Sequence, residues 1–290
     1  MADSTARPIS GAPQARTRRR FPVVRFSVTA VLAAIIFFPV YTNLMGGFKT
    51  NGQVFADPFG LPRPFTLDAF ASILGRSGEF WHFFYNSTLI AAATILLTLA
   101  ASLAAGIALS RISFRGRSTL YNFFVMGLMF PLTVAILPLY LQLRDFGLLG
   151  SRLGVILAEA AFSLPLSIFI ITGFFREIPW ELQDAVAIDG GGIMTFAVRV
   201  CLPLSTPVIT TVTIVTLIMS WNQFLLPLIV LSDADSFTIP LGVMQFQGQF
   251  TTGWNLIMAF VTVSIVPVAL FYIFLQRYIV AGLTAGATKG

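Results

Sequence analysis

Six stretches of the chain are almost free of charged residues, and each is long enough to cross a lipid bilayer. They run over Phe26–Phe48, Asn86–Ser110, Ser118–Leu143, Leu153–Phe175, Val200–Ser232 and Trp254–Gln276. Because a membrane-spanning helix needs about 20 mostly apolar residues, this pattern predicts six transmembrane helices, the fifth starting near Ser205. The one charged side chain within these stretches is Glu159. The predicted fold class is an all-α membrane protein.

The overall composition supports lipid as the main solvent of the chain. Apolar residues make up 56% of the sequence, charged residues only 10%, and the mean hydropathy is +0.85. Soluble domains carry about 25% charged residues. A chain so poor in charge cannot cover its surface with groups that water solvates well.

The distribution of positive charge predicts the orientation in the membrane. Thirteen of the 18 Lys and Arg residues fall in the N-terminal segment and in the segments on the same side of the membrane. The other five are Lys49, Arg63, Arg76, Arg144 and Arg152. Cytoplasmic segments are enriched in Lys and Arg, so both termini are predicted to be cytoplasmic. The net charge of +6 is then a topology signal, and no nucleic-acid partner is expected.

Residues 1–22 form a basic cytoplasmic leader that its composition predicts to be disordered. Its segment Thr17–Phe21 also resembles the start of a twin-arginine export signal. A basic anchor before the first span is the favoured interpretation, because five further spans follow and no A-x-A cleavage site closes the first apolar run.

Three further segments follow the leader. Residues 23–85 are predicted to hold the first transmembrane helix and a long periplasmic loop, with a short surface helix from about Leu67 to Leu74. Residues 86–280 are predicted to form a five-helix core with a cytoplasmic loop at 176–203, and residues 281–290 a cytoplasmic C-terminal tail. The last outside loop, Asp233–Gly253, carries Gln and Phe side chains that fit either a partner or sugar contact or simple solvation.

The residue types needed for covalent chemistry are scarce. The chain has one cysteine, Cys201, and one histidine, His82, whereas a protein zinc site takes three or four such ligands. The two lysines, Lys49 and Lys289, do not belong to a phosphate-binding G-x-x-x-x-G-K-[ST] loop. We therefore expect no enzyme activity, no metal and no cofactor bound by this chain itself.

The loop between the fourth and fifth spans has the pattern of a short amphipathic helix. Pro179 suits a first helical turn, Leu182, Ala185 and Val186 follow at helical spacing, and Gly190 is a stop signal. A helix this short is not stable alone, so it is expected to pack on another surface. Asp184 and Asp189 offer carboxylates to cationic partners.

This loop carries a specific family resemblance. The order Asp184-Ala185-Val186, three residues, Gly190, nine residues, Val200, one residue, Leu202-Pro203 resembles the EAA motif of ABC-importer permeases, in the MalG-type carbohydrate branch. The segment Trp221–Phe224 resembles the W-N-x-F element of that branch, and Gln276–Gly290 is similar to its C-terminus. The resemblance covers about residues 80–290. We call residues 176–203 the EAA loop.

Two positions depart from the motif. Asp184 stands where the family has glutamate, and Val186 stands where it has a second alanine. The shorter Asp184 carboxylate requires a closer approach by a cationic partner, and Val186 adds bulk at a position where the family prefers a small residue.

The resemblance implies a type I ABC-importer permease fold and a set of partners. These are a second permease subunit in a heterodimer, two ATP-binding subunits that hold ATP and Mg, an extracytoplasmic solute-binding protein, and membrane lipid. The implied location is the inner or cell membrane of a bacterium or archaeon. The implied function is alternating-access uptake of a sugar, oligosaccharide or related polyol, driven by ATP hydrolysis on the partner subunits.

Within this family the EAA loop supplies the coupling helix that docks on the ATP-binding subunit. The residues implied for this role are Asp184, Ala185, Val186, Asp189, Gly190 and Pro203. The tail after Gly282 is expected to be flexible and to reach between the ATP-binding subunits.

Three polar residues within the predicted spans are candidates for the substrate path. They are Asn222, Gln223 and Glu159, and for each a structural hydrogen bond between helices is the alternative. The rival functions are an ion-coupled secondary carrier, an ABC permease for a solute other than a sugar, and a membrane receptor or scaffold. The first rival usually needs ionisable groups near the membrane centre, where this chain offers Glu159 alone.

Overall fold

A computed structural model describes residues 23–75, 79–246 and 252–287 of the chain. The basic leader predicted for residues 1–22 and the last three residues lie outside this part. The described residues separate into two compact units, one up to Thr42 and the other from Asn43 onward. In the described part, the regular structure is helical.

Fourteen α-helices follow one another in the described residues. They are α1 (Val23–Gly46), α2 (Asn51–Ala56), α3 (Asp68–Gly75), α4 (Glu79–Arg111), α5 (Arg117–Gly127), α6 (Leu132–Asp145), α7 (Arg152–Glu177), α8 (Trp180–Ile188), α9 (Ile193–Phe196), α10 (Leu202–Leu204), α11 (Thr206–Trp221), α12 (Leu225–Val230), α13 (Ile239–Gly242) and α14 (Trp254–Ala287).

Four of these helices are long and apolar enough to cross a membrane, namely α1, α4, α7 and α14. Two further pairs of helices are bent, and if each pair is counted as one span the total is six. The all-α membrane fold with six spans is therefore confirmed on that count. In the first unit, the side chains of α1 from Arg25 to Tyr41 are exposed, including Phe26, Ile36 and Phe37, as suits a helix that faces lipid.

The third predicted span is a bent pair instead of one straight helix. Helices α5 and α6 meet at 104° across the break at residues 128–131. Pro131 lies at the break, with extended backbone angles that start α6. A proline has no N–H to donate and disfavours helical geometry in the residue before it, so Pro131 favours a break at this point.

The fifth span starts where the sequence predicts, and an unpredicted bend precedes it. Helix α11 begins at Thr206, next to the expected start at Ser205. Before it, the segment from Ile193 to Leu204 includes a π-helical turn at Ala197–Cys201 and meets α11 at 72°. The helix then ends at Trp221, well before the end of the apolar stretch.

Several other helix ends differ from prediction. Helix α4 starts at Glu79, seven residues before the predicted Asn86, while α3 matches the predicted surface helix closely. Helix α2 was not predicted. The backbone of α14 continues as helix to Ala287, so residues 281–287 prolong this helix, and the flexibility of the tail stays a prediction.

The segment that joins α1 to α3 is tied down by a buried lysine. Lys49 is fully buried, and its Nζ donates to the carbonyl oxygens of Asp57 at 2.7 Å and Pro58 at 3.2 Å. A buried ammonium needs such acceptors because an unpartnered charge in an apolar interior is costly. This cation, counted in the sequence only as one of the five outside charges, holds the loop closed.

Helices α4, α7 and α11 form the centre of the second unit, and the packing beneath the EAA loop is continuous with them. A cluster of buried residues joins α7 and α11 to the loop, and side chains of α4 pack against it. We call it the inner cluster, and it consists of Ile171, Phe175, Ile178, Phe196, Cys201, Val208 and Val212.

Candidate functional site

The EAA loop folds as the helix that the sequence predicts. Helix α8 runs from Trp180 to Ile188, and Pro179 precedes it as the N-cap, one position before the predicted first turn. Ile178 and Pro179 have extended backbone angles, so the chain turns sharply between α7 and α8. The link between the two helices is only two residues long, which leaves little slack.

The end of α8 is a Schellman turn. The Gly190 N–H donates to the Ala187 carbonyl at 3.0 Å, and the Gly191 N–H donates to the Val186 carbonyl at 2.8 Å. Gly190 has φ +79°, in the left-handed region that glycine adopts without strain. The motif glycine is therefore needed to reverse the chain and stop the helix.

The outward face of α8 combines carboxylates with apolar side chains. Asp184, Ala185, Asp189 and Gly190 are all exposed in the isolated chain. Ile188 is 85% exposed, and among the other exposed apolar side chains of the loop are those of Trp180, Leu182 and Met194. An exposed apolar patch with charged neighbours is typical of a docking surface for another protein.

Val186 points the other way. Its side chain is half-buried and packs against the inner cluster, so it holds α8 on the body of its own chain. The departure from the family's small residue therefore adds contact inside this subunit instead of bulk at the outward face. Of the residues predicted to couple to an ATP-binding subunit, Val186 has the inward position.

Pro203 lies apart from the exposed face of α8. It belongs to α10, after α9 and the π-helical turn, and it is exposed beside the 72° bend that leads into α11. The structure thus brings Asp184, Ala185, Asp189 and Gly190 together on one surface and leaves Pro203 at the junction with the fifth span.

Sequence reasoning missed the residue that anchors the loop, which is Arg111. This arginine ends α4 and is only 4% exposed. Its Nη2 donates to the carbonyl oxygens of Phe175 and Ile178, and its guanidinium lies 4.7 Å from the ring centre of Trp180. The only signal in the sequence is an arginine at the end of a span, which also fits a simple topology determinant.

Glu159 lies inside the helix bundle. It is 4% exposed, and the hydroxyls of Thr94 and Ser220 donate to its Oε2, the Thr94 contact being 3.3 Å long. These contacts join α7 to α4 and α11. Its Oε1 has no hydrogen-bond partner within the described residues. The geometry is that of a hydrogen bond between helices, while a part in the substrate path stays a prediction.

Asn222 and Gln223 occupy a break between two helices instead of the middle of one span. Asn222 caps α11 and donates through Nδ2 to the Ile218 carbonyl at 2.8 Å, and Gln223 accepts from the Leu225 N–H at 3.2 Å. Asn222 also lines a cavity of about 220 Å³ between α11, α13 and α14. Non-helical backbone within a membrane is tolerated where it is buried or lines a cavity.

The predicted outside loop after α12 is fastened to the start of α4. Asn86 donates through Nδ2 to the carbonyls of Asp235 at 2.7 Å and Phe237 at 3.0 Å. The Ile239 N–H donates to Ser87 Oγ at 2.8 Å. The loop residue Phe246 packs on Phe260 with ring centres 5.2 Å apart, so this part of the loop is not simply solvated.

A polar cleft opens beside that loop. It has a volume of about 570 Å³, and its lining includes Arg152, Asp233 and Asp235. The glutamine and phenylalanine side chains predicted at residues 247, 249 and 250 lie outside the described residues.

The chain adopts the fold of a solved ABC importer. It matches a bacterial ABC transporter involved in import of the acidic polysaccharide alginate with a TM-score of 0.80 and 20% identity, covering 94% of this chain and 99% of that one. The helices, the paired bent spans and the exposed loop helix thus have the type I ABC importer permease fold.

Residues 97–285 match the family described as binding-protein-dependent transport system inner membrane component, and the chain belongs to this family. The diacetylchitobiose uptake system permease NgcG of Streptomyces coelicolor is 31% identical over 277 residues, covering 95% of this chain and 91% of that protein. The arabinooligosaccharides transport system permease AraQ of Halalkalibacterium halodurans is also 31% identical, covering 94% and 99%. The resemblance in the EAA loop is thereby confirmed at the level of the family.

Proposed function

We propose that this chain forms half of the translocation path of an importer for a sugar, oligosaccharide or related polyol. It pairs with a second permease subunit, rests on two ATP-binding subunits that hold ATP and Mg, and receives its solute from an extracytoplasmic binding protein. It lies in the inner membrane with both termini in the cytoplasm, as the distribution of its arginines favours.

The observation that carries the proposal is the exposed face of α8. Its side chains Leu182 and Ile188 remain uncovered by the described part of the chain, and Asp184 and Asp189 flank them. Charge-assisted hydrogen bonds from these carboxylates to arginines of an ATP-binding subunit would contribute roughly 1.5–3 kcal/mol each if partly buried. The Schellman turn and the short link to α7 make the helix a stiff connection.

In this mechanism the chain performs no covalent step. When two ATP-binding subunits close on ATP, each carries its docked helix with it. The displacement of α8 passes into α7 through Ile178 and Pro179, and into α11 through the inner cluster. The spans then rock from an inward-open to an outward-open arrangement, and hydrolysis resets them.

The sugar class rests on the relatives and on the polar break in the fifth span. Relatives at about this level of identity include permeases named for diacetylchitobiose, arabinooligosaccharides and starch degradation products. Asn222 and Gln223 supply amide groups at the break between α11 and α12, and such groups bind sugar hydroxyls well. Interrupted helices are common at transport sites. Glu159, hydrogen-bonded between helices, is assigned a supporting part.

Uptake in proteoliposomes tests the proposal. The chain is reconstituted with its partner permease, ATP-binding subunit and binding protein, and offered radiolabelled diacetylchitobiose, arabinotriose and maltotriose. We expect uptake of at least one of these sugars that requires internal ATP and the binding protein. ATP-dependent uptake of a non-sugar solute alone would overturn the sugar class.

The alternative function, that of an ion-coupled carrier, is tested in vesicles that hold this chain without its partners. The chain alone, under a proton or sodium gradient, is expected to transport none of the three sugars. Uptake driven by an ion gradient without the ATP-binding subunit would contradict the ABC mechanism.

A doubly changed variant, Asp184→Lys with Gly190→Pro, tests the coupling role of α8. It is expected to insert in the membrane and to lose ATP-dependent uptake.

A further inference from the structure

Arg111 lies where the ends of two helices meet the EAA loop. It is the last residue of α4, and its Nη2 donates to the carbonyls of Phe175, in the last turn of α7, and Ile178, which caps it. The last carbonyls of a helix have no partner within that helix and carry partial negative charge. One guanidinium therefore caps α7 while it completes α4.

The same guanidinium contacts the loop itself. Its central carbon lies 4.7 Å from the ring centre of Trp180, the first residue of α8, and 5.7 Å from that of Phe196 in α9. A cation over an aromatic face is attracted by the ring's quadrupole, more strongly when water is excluded. Arg111 thus touches α7, α8 and α9 at once.

This burial is not explained by an ion pair. Among the described residues, no carboxylate lies within ion-pair distance of Arg111, and its Nε and Nη1 are buried without a hydrogen-bond partner. A buried charge contributes little stability, and a well-packed apolar side chain often serves as well or better. What the arginine adds is a fixed geometry among three helices.

Helix α4 is itself packed tightly against α7 just before this point. A Cβ added at Gly106 would lie 2.6 Å from Ile171 Cγ2, so the side chain of Ile171 already fills the space that a side chain at residue 106 would need. Because Ile171 and Phe175 belong to the inner cluster, α4, α7 and the loop are held together over several turns.

The other end of α4 holds the outside loop. Asn86 and Ser87 bind the backbone of residues 235–239 by three hydrogen bonds. The helix is continuous from Asn86 to Arg111, and at 1.5 Å per residue these anchors lie about 37 Å apart, more than the thickness of the hydrocarbon core. A rigid helix with a fastening at each end transmits displacement along its length.

We propose that Arg111 is a positioning residue that clamps the EAA loop to α4, and that α4 is the lever that carries loop motion to the outside loop at residues 233–239. This inference rests on the proposed function, since it needs α8 to be moved by an ATP-binding subunit. It adds a second route of transmission to the covalent link between α7 and α8, and it connects the nucleotide cycle to the cleft lined by Asp233 and Asp235.

Three variants of the complete transporter in lipid nanodiscs test the clamp. Arg111→Met keeps the apolar stem and removes the guanidinium, and Arg111→Lys keeps the charge but cannot bond both carbonyls and face both rings. Arg115→Met is the matched control, because Arg115 lies four residues further on at the same end of α4 and is exposed.

The decisive readout is amide hydrogen exchange at residues 233–239, with and without ATP, Mg²⁺ and vanadate. We expect a nucleotide-dependent change in the parent protein and in Arg115→Met, its loss in Arg111→Met, and a reduced change in Arg111→Lys. Basal ATP hydrolysis is expected to remain within about twofold of the parent in Arg115→Met, because the exposed Arg115 lies outside the clamp. A residue that acts on stability alone would raise exchange equally in both states.

The outcomes separate the inference from the proposed function. An unchanged nucleotide response in Arg111→Met would overturn the clamp. If Arg111→Met does not assemble, Arg111→Lys decides by the same criterion, and failure of both to assemble would reduce Arg111 to a folding residue and overturn the proposal. Crosslinking of Ala185→Cys to the ATP-binding subunit is recorded in parallel in a protein that keeps Arg111, because absence of the crosslink there would refute the proposed function instead.

Discussion

Substituting Gly190 tests whether the left-handed turn at the end of α8 is needed for coupling. Gly190 has φ +79°, whereas Gly192, two residues later, has φ −92°. A Cβ added at either glycine meets nothing within 4 Å. The pair Gly190→Ser and Gly192→Ser therefore places the same side chain in equally open space and differs only in backbone conformation.

The expected cost follows from that difference. An L-residue in the left-handed region costs roughly 1–2 kcal/mol, so Gly190→Ser destabilises the Schellman turn by about this amount. Gly192 is the N-cap of α9, where serine is favoured, so Gly192→Ser is expected to be neutral or slightly stabilising. A cost of 1–2 kcal/mol is a factor of about 5–30 in an equilibrium constant.

The assay is the affinity of the ATP-binding subunit for the permease pair in nanodiscs, together with uptake. We expect Gly190→Ser to weaken that affinity by about 5–30-fold, while Gly192→Ser stays within about twofold. Gly190→Asn is expected to lie between them, because asparagine tolerates the left-handed region better than serine. Equal affinities for the two serine variants would refute the assigned role of the turn.

Three further predictions concern residues that hold the fold around the site. Glu159→Leu removes the acceptor for the Thr94 and Ser220 hydroxyls, so it should destabilise the complex by about 1–3 kcal/mol in thermal unfolding. Glu159→Gln keeps an acceptor oxygen and should cost much less. Equal losses of stability in the two variants would contradict the hydrogen-bond role. Asn86→Ala should speed amide exchange at residues 235–239, and unchanged exchange would contradict its anchoring role. Lys49→Met leaves two carbonyls without their donor and should speed proteolysis at residues 57–67, which a merely solvated lysine would not do.

Charges mark the ends of the spans well, because a charged side chain is costly within the hydrocarbon core. Arg111, Arg117 and Arg152 each end or begin a helix close to the predicted boundary. The early start of α4 was missed because residues 79–85 mix His82 and Glu79 with aromatic residues, a composition that suits a loop as well as a helix end.

Bends within spans are harder to read from the sequence. Pro131 marks the break between α5 and α6, but Pro39, Pro165 and Pro267 lie within helices that continue through them. A proline alone therefore does not predict a 104° bend. Whether the helix breaks depends on the packing around the freed backbone groups, which the sequence pattern does not specify.

Within the candidate site, too, local features could be predicted from the sequence and features that depend on tertiary packing could not. The spacing of the EAA loop predicts α8 and its glycine stop, because both are local features. The inward position of Val186 and the burial of Arg111 depend on where α7 and α9 lie, so no local pattern indicates them. Asn222 was expected inside a span, and its place at a helix break depends likewise on tertiary packing.

Crosslinking from Ala185 tests the central claim most directly. Ala185 is exposed on α8, and the native thiol of Cys201 is buried, so Ala185→Cys introduces one accessible thiol in the described part of the chain. Ser118→Cys, exposed near the start of α5, is the control. We predict that in the active transporter Ala185→Cys crosslinks to the ATP-binding subunit with a yield that changes on ATP and vanadate, while Ser118→Cys does not. An active transporter in which Ala185→Cys never captures that subunit would contradict the account.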